Sequence, residues 1–374
     1  MTSISDEPSR AGLLARVAAT FGNWSTSRAQ YPLGYLPGLD GARGLMTLAV
    51  LGAHTRMALL PGAAVFMDCF FAMSGYLITS ILLSDYRKLS RIDFRKFYVR
   101  RFMRLFPALA AMLLTLLVIA ALFSPEFKER LIDVAVALFY ISNYWGAFDT
   151  HGLWYTGHTW SLSVEEQFYL LWPIVLLALL RWAGISWRTV AAILVLAFCF
   201  ALWRAWLTYD GATIERLYNS SDTRADALLF GCALAVAMKL VELPKHPRVC
   251  AALGWSLVPL TIADLIIALT VDQHMRWYYY IAPLLGAWPA CIFTVALIQP
   301  YRNFMHTFLE HPVPVFCGRI CYGLYIWHYP VFLFLHQNDV PYIGVFLIGW
   351  PIVFSLATAS YYFIERHAMK ARPV

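Results

Sequence analysis

The sequence is short of charge. Asp, Glu, Lys and Arg make up 14% of its 374 residues, where a soluble domain carries about a quarter. With 60% hydrophobic residues and a mean hydropathy of +0.60, that shortage excludes an ordinary soluble fold. Cysteine is also sparse. Of seven, Cys69, Cys199, Cys232 and Cys291 fall inside apolar runs, and Cys317 and Cys321 sit one turn apart on another. No spacing fits a zinc site or a disulfide framework. These cysteines read as small apolar packing residues, and no metal or bound cofactor is expected. Residues 1–35 lack the basic-then-apolar order and small-residue cleavage site of a secretory leader. No internal repeat and no separate soluble domain is evident. The net charge of +7 would hint at nucleic acid in a soluble chain. Here the basic residues cluster in short loops, where membrane topology explains them and no nucleic-acid partner is implied.

What is plentiful points to a bilayer. Fourteen Trp, 21 Tyr and 25 Phe suit aromatic belts at two interfaces. Apolar stretches near the ~20-residue spanning length fall at about 39–60, 62–83, 102–123, 163–181, 188–207, 224–240, 251–271, 278–298, 317–336 and 341–364. Asp133–Phe148 is shorter and ends in Asn143-Tyr144-Trp145, so it is expected to be re-entrant or interfacial. The segment at 85–101 holds seven Lys/Arg in 17 residues and belongs in the cytoplasm. With 133–148 not crossing, the later basic connections also fall inside. The expectation is an all-α polytopic bundle of about ten transmembrane helices around an internal cavity. A cytoplasmic tail at 1–35, a membrane domain at 36–366 and a cytoplasmic tail at 367–374 complete the layout.

Within that bundle the stretch from Gly38 to Tyr76 carries polar residues where lipid would forbid them. Ionisable groups in a span cost roughly 2.5–3.5 kcal/mol each on insertion scales, so they face a cavity or a partner. Arg43 and His54 are eleven residues apart, about 16 Å of helical rise and about 20° around the axis, so they share one face. Arg43 lies near the inner end. His54 lies near the outer end, at the depth expected of Asp68 on the next span. Glu165 and Glu166 enter with the fourth span, and Arg224 and Asp226 with the sixth, also from outside. His54 is therefore the candidate general base, with Asp68 or Glu166 orienting its ring. Arg101 and Arg104, one turn apart at the inner face, suit phosphate oxygens together with Arg43. Of the adjacent glutamates, Glu166 is assigned to the cavity and Glu165 to the helix start, where the dipole tolerates it. Ser74 and Tyr76 near the inner end of the second span, with His158, Arg224, Asp226 and His328, are the remaining acceptor or cavity candidates. Asp264 is a further mid-span acid without an evident partner.

These residues resemble the acyltransferase-3 family of membrane-bound acyltransferases. The resemblance rests on Leu39-Asp40-Gly41-Ala42-Arg43 with His54 beyond it, on Val65-Phe66-Met67-Asp68 through Ser74-Gly75-Tyr76-Leu77, and on Arg101-x-x-Arg104-Leu105-Phe106-Pro107. It continues through His158-Thr159-Trp160 to Glu166-Gln167-Phe168-Tyr169, Asp222-Thr223-Arg224-Ala225-Asp226, and Tyr322-Gly323-Leu324-Tyr325-Ile326-Trp327-His328-Tyr329-Pro330. These motifs occur in family order over about residues 34–366; the departure is Tyr76, where the pattern more often has Phe. The resemblance implies a ten-helix enzyme that moves an acyl group, usually acetyl, from cytoplasmic acyl-CoA to a hydroxyl. Its acceptors are mostly cell-surface glycans such as O-antigen or exopolysaccharide, with a macrolide or lipid as the alternative. The family's essential arginine and histidine match Arg43 and His54, and its donor-side pair matches Arg101 and Arg104. Some family members carry an added outer esterase-like domain. Because this chain ends soon after Ile364, transfer is expected to finish within the membrane domain. The competing class is a polytopic transporter, which polar groups at matched depths would also suit.

Overall fold

The computed structural model describes residues 36–56, 59–148 and 152–371; the N-terminal tail at 1–35 and the last three residues of the C-terminal tail lie outside them. The principal helices run in chain order. They are α1 (Pro37–Thr55), α2 (Ala64–Leu89), α3 (Phe94–Phe123), α4 (Phe127–Leu138), α5 (Ser142–Phe148), α6 (Trp160–Ala183), α7 (Trp187–Tyr209) and α8 (Ile214–Asn219). Then follow α9 (Ala225–Ala237), α10 (Pro247–Thr270), α11 (Arg276–Leu285), α12 (Ala287–Ile298), α13 (Phe304–Leu309), α14 (Pro312–Arg319), α15 (Cys321–Gln337) and α16 (Tyr342–Lys370). No strand occurs among the described residues.

Local chemistry sets many of these ends. Pro37, Pro247 and Pro312 open α1, α10 and α14, where a missing N–H costs nothing. Asp93 caps α3 by accepting the Lys96 N–H at 3.0 Å. Arg87 and Lys88 sit in the last turn of α2, the favourable end of the dipole for cations, and Ser90 in the left-handed region (φ 54°) ends it.

Among the described residues all ten predicted stretches are largely helical, and two are broken: 278–298 at Gly286, and 317–336 at Ile320. Among the described residues, seven helices are long and apolar enough to cross a membrane: α2, α3, α6, α7, α10, α11 with α12, and α16. The other predicted spans, α1, α9 and α15, are shorter or more polar. α9 is buried along nearly its whole length, so protein surrounds it in place of lipid. The segment expected to be re-entrant is two helices, α4 and α5, split at Tyr140 in the left-handed region (φ 54°). At 12 and 7 residues neither reaches spanning length. Asp133 is buried there, held by Arg130 at 3.2 Å and by the Trp154 N–H.

The outward faces of the bundle are as apolar as its interior, unlike those of a soluble fold. Leu122, Phe123, Leu170, Leu171, Ile174 and Leu202 are exposed on outward faces, as lipid requires. The interior is organised on α2. Its Phe71, Leu82 and Leu83 join Trp172, Leu176, Leu228 and Cys232 in the largest core. α2 and α9 touch backbone to backbone. A Cβ on Gly231 would sit 1.8 Å from the Ala72 carbonyl oxygen, and one on Gly75 2.0 Å from that of Leu228. Such small-residue contacts let helices pack by dispersion where hydrophobic driving force is weak. On the other side of the bundle, Leu51 of α1 packs with Cys317, Ile320 and Leu324, which holds α1 against α14 and α15.

Gly231→Leu is expected to cost more than the roughly 1–3 kcal/mol of ordinary overpacking, because backbone atoms block it. Gly152→Ala, which meets nothing within 4 Å, is the control. Thermal unfolding in detergent should show a large drop for the first and little change for the second.

Candidate active site

α1 presents Arg43 and His54 along one face, and each opens into a different cavity. The first cavity, about 130 Å³, is lined by Arg43, Arg101, Arg104, Glu165, Ser74 and Cys321, with apolar walls from Phe70, Phe71, Ile78 and Leu105. Arg101 is held by Glu166 at 3.3 Å and sits over the Tyr169 ring, 3.7 Å from its centroid. The Tyr169 hydroxyl in turn bonds Ser74. Arg43 and Arg104 form no ion pair among the described residues. The cavity's lining thus holds three guanidiniums and one carboxylate, Glu165, so its wall presents the forks of Arg43 and Arg104 to an anion.

The second cavity, about 320 Å³, is lined by His54, His158, Trp160, Tyr218, Asn219, Gln273 and Tyr329, with Ser142 and Gly146 of α5. Backbone carbonyls fix the tautomer of each imidazole, because a carbonyl only accepts. His54 donates from Nδ1 to the Val50 oxygen at 3.0 Å, so its Nε2 keeps the lone pair. His328 donates from Nδ1 to the Tyr325 oxygen at 2.6 Å, and His158 from Nε2 to that of Ile326 at 3.1 Å. The opposite nitrogens, His328 Nε2 and His158 Nδ1, are buried without a partner. The rings gather closely: His54 lies 4.9 Å from His328 and 5.6 Å from Tyr329, and His158 stacks on Tyr329 at 4.9 Å. The cluster is rich in acceptors and poor in donors, a surface that suits hydroxyl groups.

Two expected pairings require correction. Asp68 does lie near the same end of the bundle as His54, but its carboxylate serves other groups. Arg224 donates to it at 2.9 Å and the Tyr278 hydroxyl at 3.0 Å. Val50, not Asp68, therefore orients the histidine. Glu166 belongs with Arg101 at the other cavity. Its helix begins at Trp160, which sets Glu166 about 4.5 Å further along than a start at residue 163 suggested. The division of the two glutamates also changes, since Glu165 lines the cavity.

Arg224 and Asp226 line neither cavity. Asp226 is buried with Arg204 at 2.8 Å, and Arg204 also holds the carbonyls of Thr223 and Tyr279. Arg224 sits over Tyr218, 4.9 Å from its centroid, directly behind the second cavity's wall. At the rim of this network Asp222 takes a two-pronged bond from Arg216 and one from the Trp203 N–H. Burial alone would raise its carboxyl, but these donors hold it below the usual carboxylate range. Tyr76 is buried on α2 and lines neither cavity, and neither does the half-buried Asp264 of α10. Ser74 lines the first cavity, and His158 the second with His328 beside it. Sequence reasoning assigned Glu165 to the helix start and did not single out Tyr325. The latter lies one turn before His328 in the Tyr322–Pro330 run, so the motif was in view and only its facing was hidden.

The family profile described as "Acyltransferase domain" matches residues 36–366. The chain belongs to the acyltransferase-3 family. Curated relatives of this acyltransferase-family chain include a peptidoglycan O-acetyltransferase, OatA, of Listeria monocytogenes serovar 1/2a, 31% identical over 348 residues, covering 90% of this chain and 56% of that one. A putative peptidoglycan O-acetyltransferase, YrhL, of Bacillus subtilis is 35% identical over 352 residues, covering 89% and 54%. The O-acetyltransferase OatA of Staphylococcus aureus is 31% identical over 354 residues, covering 88% and 57%. The chain spans a little over half the length of these relatives. No solved structure matches it.

Asp68→Asn should destabilise the protein by about 3–5 kcal/mol, since it strands a buried guanidinium. Asp68→Leu with Arg224→Met should recover part of that loss. Thermal unfolding measures both; full stability of Asp68→Asn with lost turnover would return Asp68 to a catalytic role.

Proposed function

We propose that this protein is a membrane-bound O-acyltransferase that moves an acyl group, acetyl in the first instance, from acyl-CoA to a hydroxyl of a cell-surface glycan. The observation that carries the reading is that Arg43 and His54 share one face of α1 yet open into two chemically different cavities. The cationic cavity suits the phosphates of coenzyme A, with Arg43 and Arg104 free to fork onto them and Arg101 pinned by Glu166 and Tyr169. The apolar wall beyond suits the pantetheine arm. Trp160, Tyr218, Asn219 and Gln273 suit a sugar, whose ring faces stack on aromatics and whose hydroxyls bond amides and imidazoles.

His54 Nε2 takes the proton of the acceptor hydroxyl as its oxygen attacks the thioester carbonyl carbon. The carbon–sulfur bond breaks, the ester remains on the glycan, and the departing thiolate receives the proton from the imidazolium to give CoA. No cofactor takes part beyond the donor itself. Peptidoglycan is the acceptor named for the relatives, and we take it as the first to test, ahead of O-antigen or exopolysaccharide. The layout that goes with this reading puts the arginine cavity on the cytoplasmic side of a bacterial inner membrane, with both termini cytoplasmic.

His54→Ala should lower acetyl transfer by about 10²–10⁴-fold, the usual contribution of a general base, with thermal unfolding unchanged. Purified protein in liposomes, acetyl-CoA and glycan fragments analysed by mass spectrometry would measure it; retained transfer would sink the assignment. In the same assay Arg104→Ala should raise the KM for acetyl-CoA and leave that for the glycan unchanged.

A further inference from the structure

The two cavities meet at a partition to which four helices contribute. On α1, Thr47 lines the first cavity and Val50, one turn on, the second. At the start of α6, Ser161 faces the first and Trp160 the second, and Phe71 of α2 meets Trp160 edge to face at 6.1 Å. Two side chains line both cavities: Met67 of α2 and Tyr325 of α15.

These two differ in freedom. The Tyr325 hydroxyl donates to the His158 carbonyl at 2.8 Å and accepts from Ser161 Oγ at 2.6 Å, so the ring is tied at its tip. Met67, 7% exposed, is unbranched and has no polar anchor, which makes it the movable side. Swinging it aside opens a gap no wider than its own side chain. Each further methylene on a passing group would press on packed core atoms.

We propose that Met67 and Tyr325 form an aperture between the two cavities that sets the length of the acyl group this protein transfers. The inference rests on the donor reading above. The phosphates stay with the arginines, and the acyl end of the donor is the part that must reach His54. A two-carbon group passes the aperture; longer chains are rejected by the tied ring on one side and the methionine on the other.

The test compares wild type, Met67→Ala and Tyr325→Phe in liposomes supplied with equal acetyl-CoA and butyryl-CoA, reading the esters on the glycan by mass spectrometry. One methylene in a pocket is worth about 10–200-fold in discrimination, so Met67→Ala should raise the butyryl-to-acetyl ratio by about tenfold, and a rise under about threefold overturns the proposal. Tyr325→Phe, which frees the ring tip, should raise the ratio in the same direction. A second measurement guards against failure of the donor reading or loss of activity. Cys321 lines the first cavity and Gly152 the second. A charged methanethiosulfonate is added at the membrane face where a Gly152→Cys variant reacts. Cys321 should be protected there in the wild type and modified at least about threefold faster with Met67→Ala, by the same size argument. If wild type transfers nothing from acetyl-CoA, the donor reading fails and this labelling alone decides. Equal labelling of Cys321 in both proteins overturns the aperture.

Discussion

A charge buried among helices in a bilayer must be neutralised by a neighbour or face a space that admits water or a ligand, because the hydrocarbon offers neither. That constraint separates two groups of charged residues in this protein. Asp68 with Arg224, and Asp226 with Arg204, are closed on one another and on nearby carbonyls and hydroxyls. They are scaffold, and they hold the helices behind the second cavity in register. Arg43 and Arg104 have no such closure, and both line the first cavity. What is left unpaired marks the place where something must arrive.

Much of this was legible beforehand, and the boundary is instructive. The Arg43–His54 column followed from the 100° period alone, and the helical stretches followed from length and hydropathy. The charge of the later loops argued against a span at 133–148, and that stretch is split between two short helices. Depth, however, fixes only the height of a residue. It does not say which helices are neighbours, or which way a side chain turns. Asp68 was placed at the level of His54, and its level was not the error; α9 brought Arg224 closer. Glu166 moved because helix α6 starts three residues before the apolar run that announced it. The tautomer of His54 depends on a carbonyl of its own helix, one turn back, which no pattern of side chains reveals.

The site that results has two unlike halves. One is cationic and walled by aliphatic and aromatic side chains; the other is lined by imidazoles with free lone pairs, by amides and by indole and phenol rings. Such a division fits a reaction between a phosphate-bearing donor and a hydroxyl-bearing acceptor, each held by the chemistry it prefers. Under the proposed function, His54 Nε2 lies on the acceptor's side of the partition, and the donor would have to come to it. The relatives named as a peptidoglycan O-acetyltransferase and a putative one align with about nine-tenths of the chain.

The Asp68–Arg224 pair has a consequence for how the chain is made. Its two members are 156 residues apart in sequence. At about 5–20 residues per second of synthesis, α2 waits roughly 8–30 s before its counter-charge emerges. Gly75 and Gly231, which seat α2 on α9, meet only at the same moment. The second helix is thus inserted long before it is finished. Its final placement is a late event in biogenesis, timed by the arrival of a helix more than a third of the chain away.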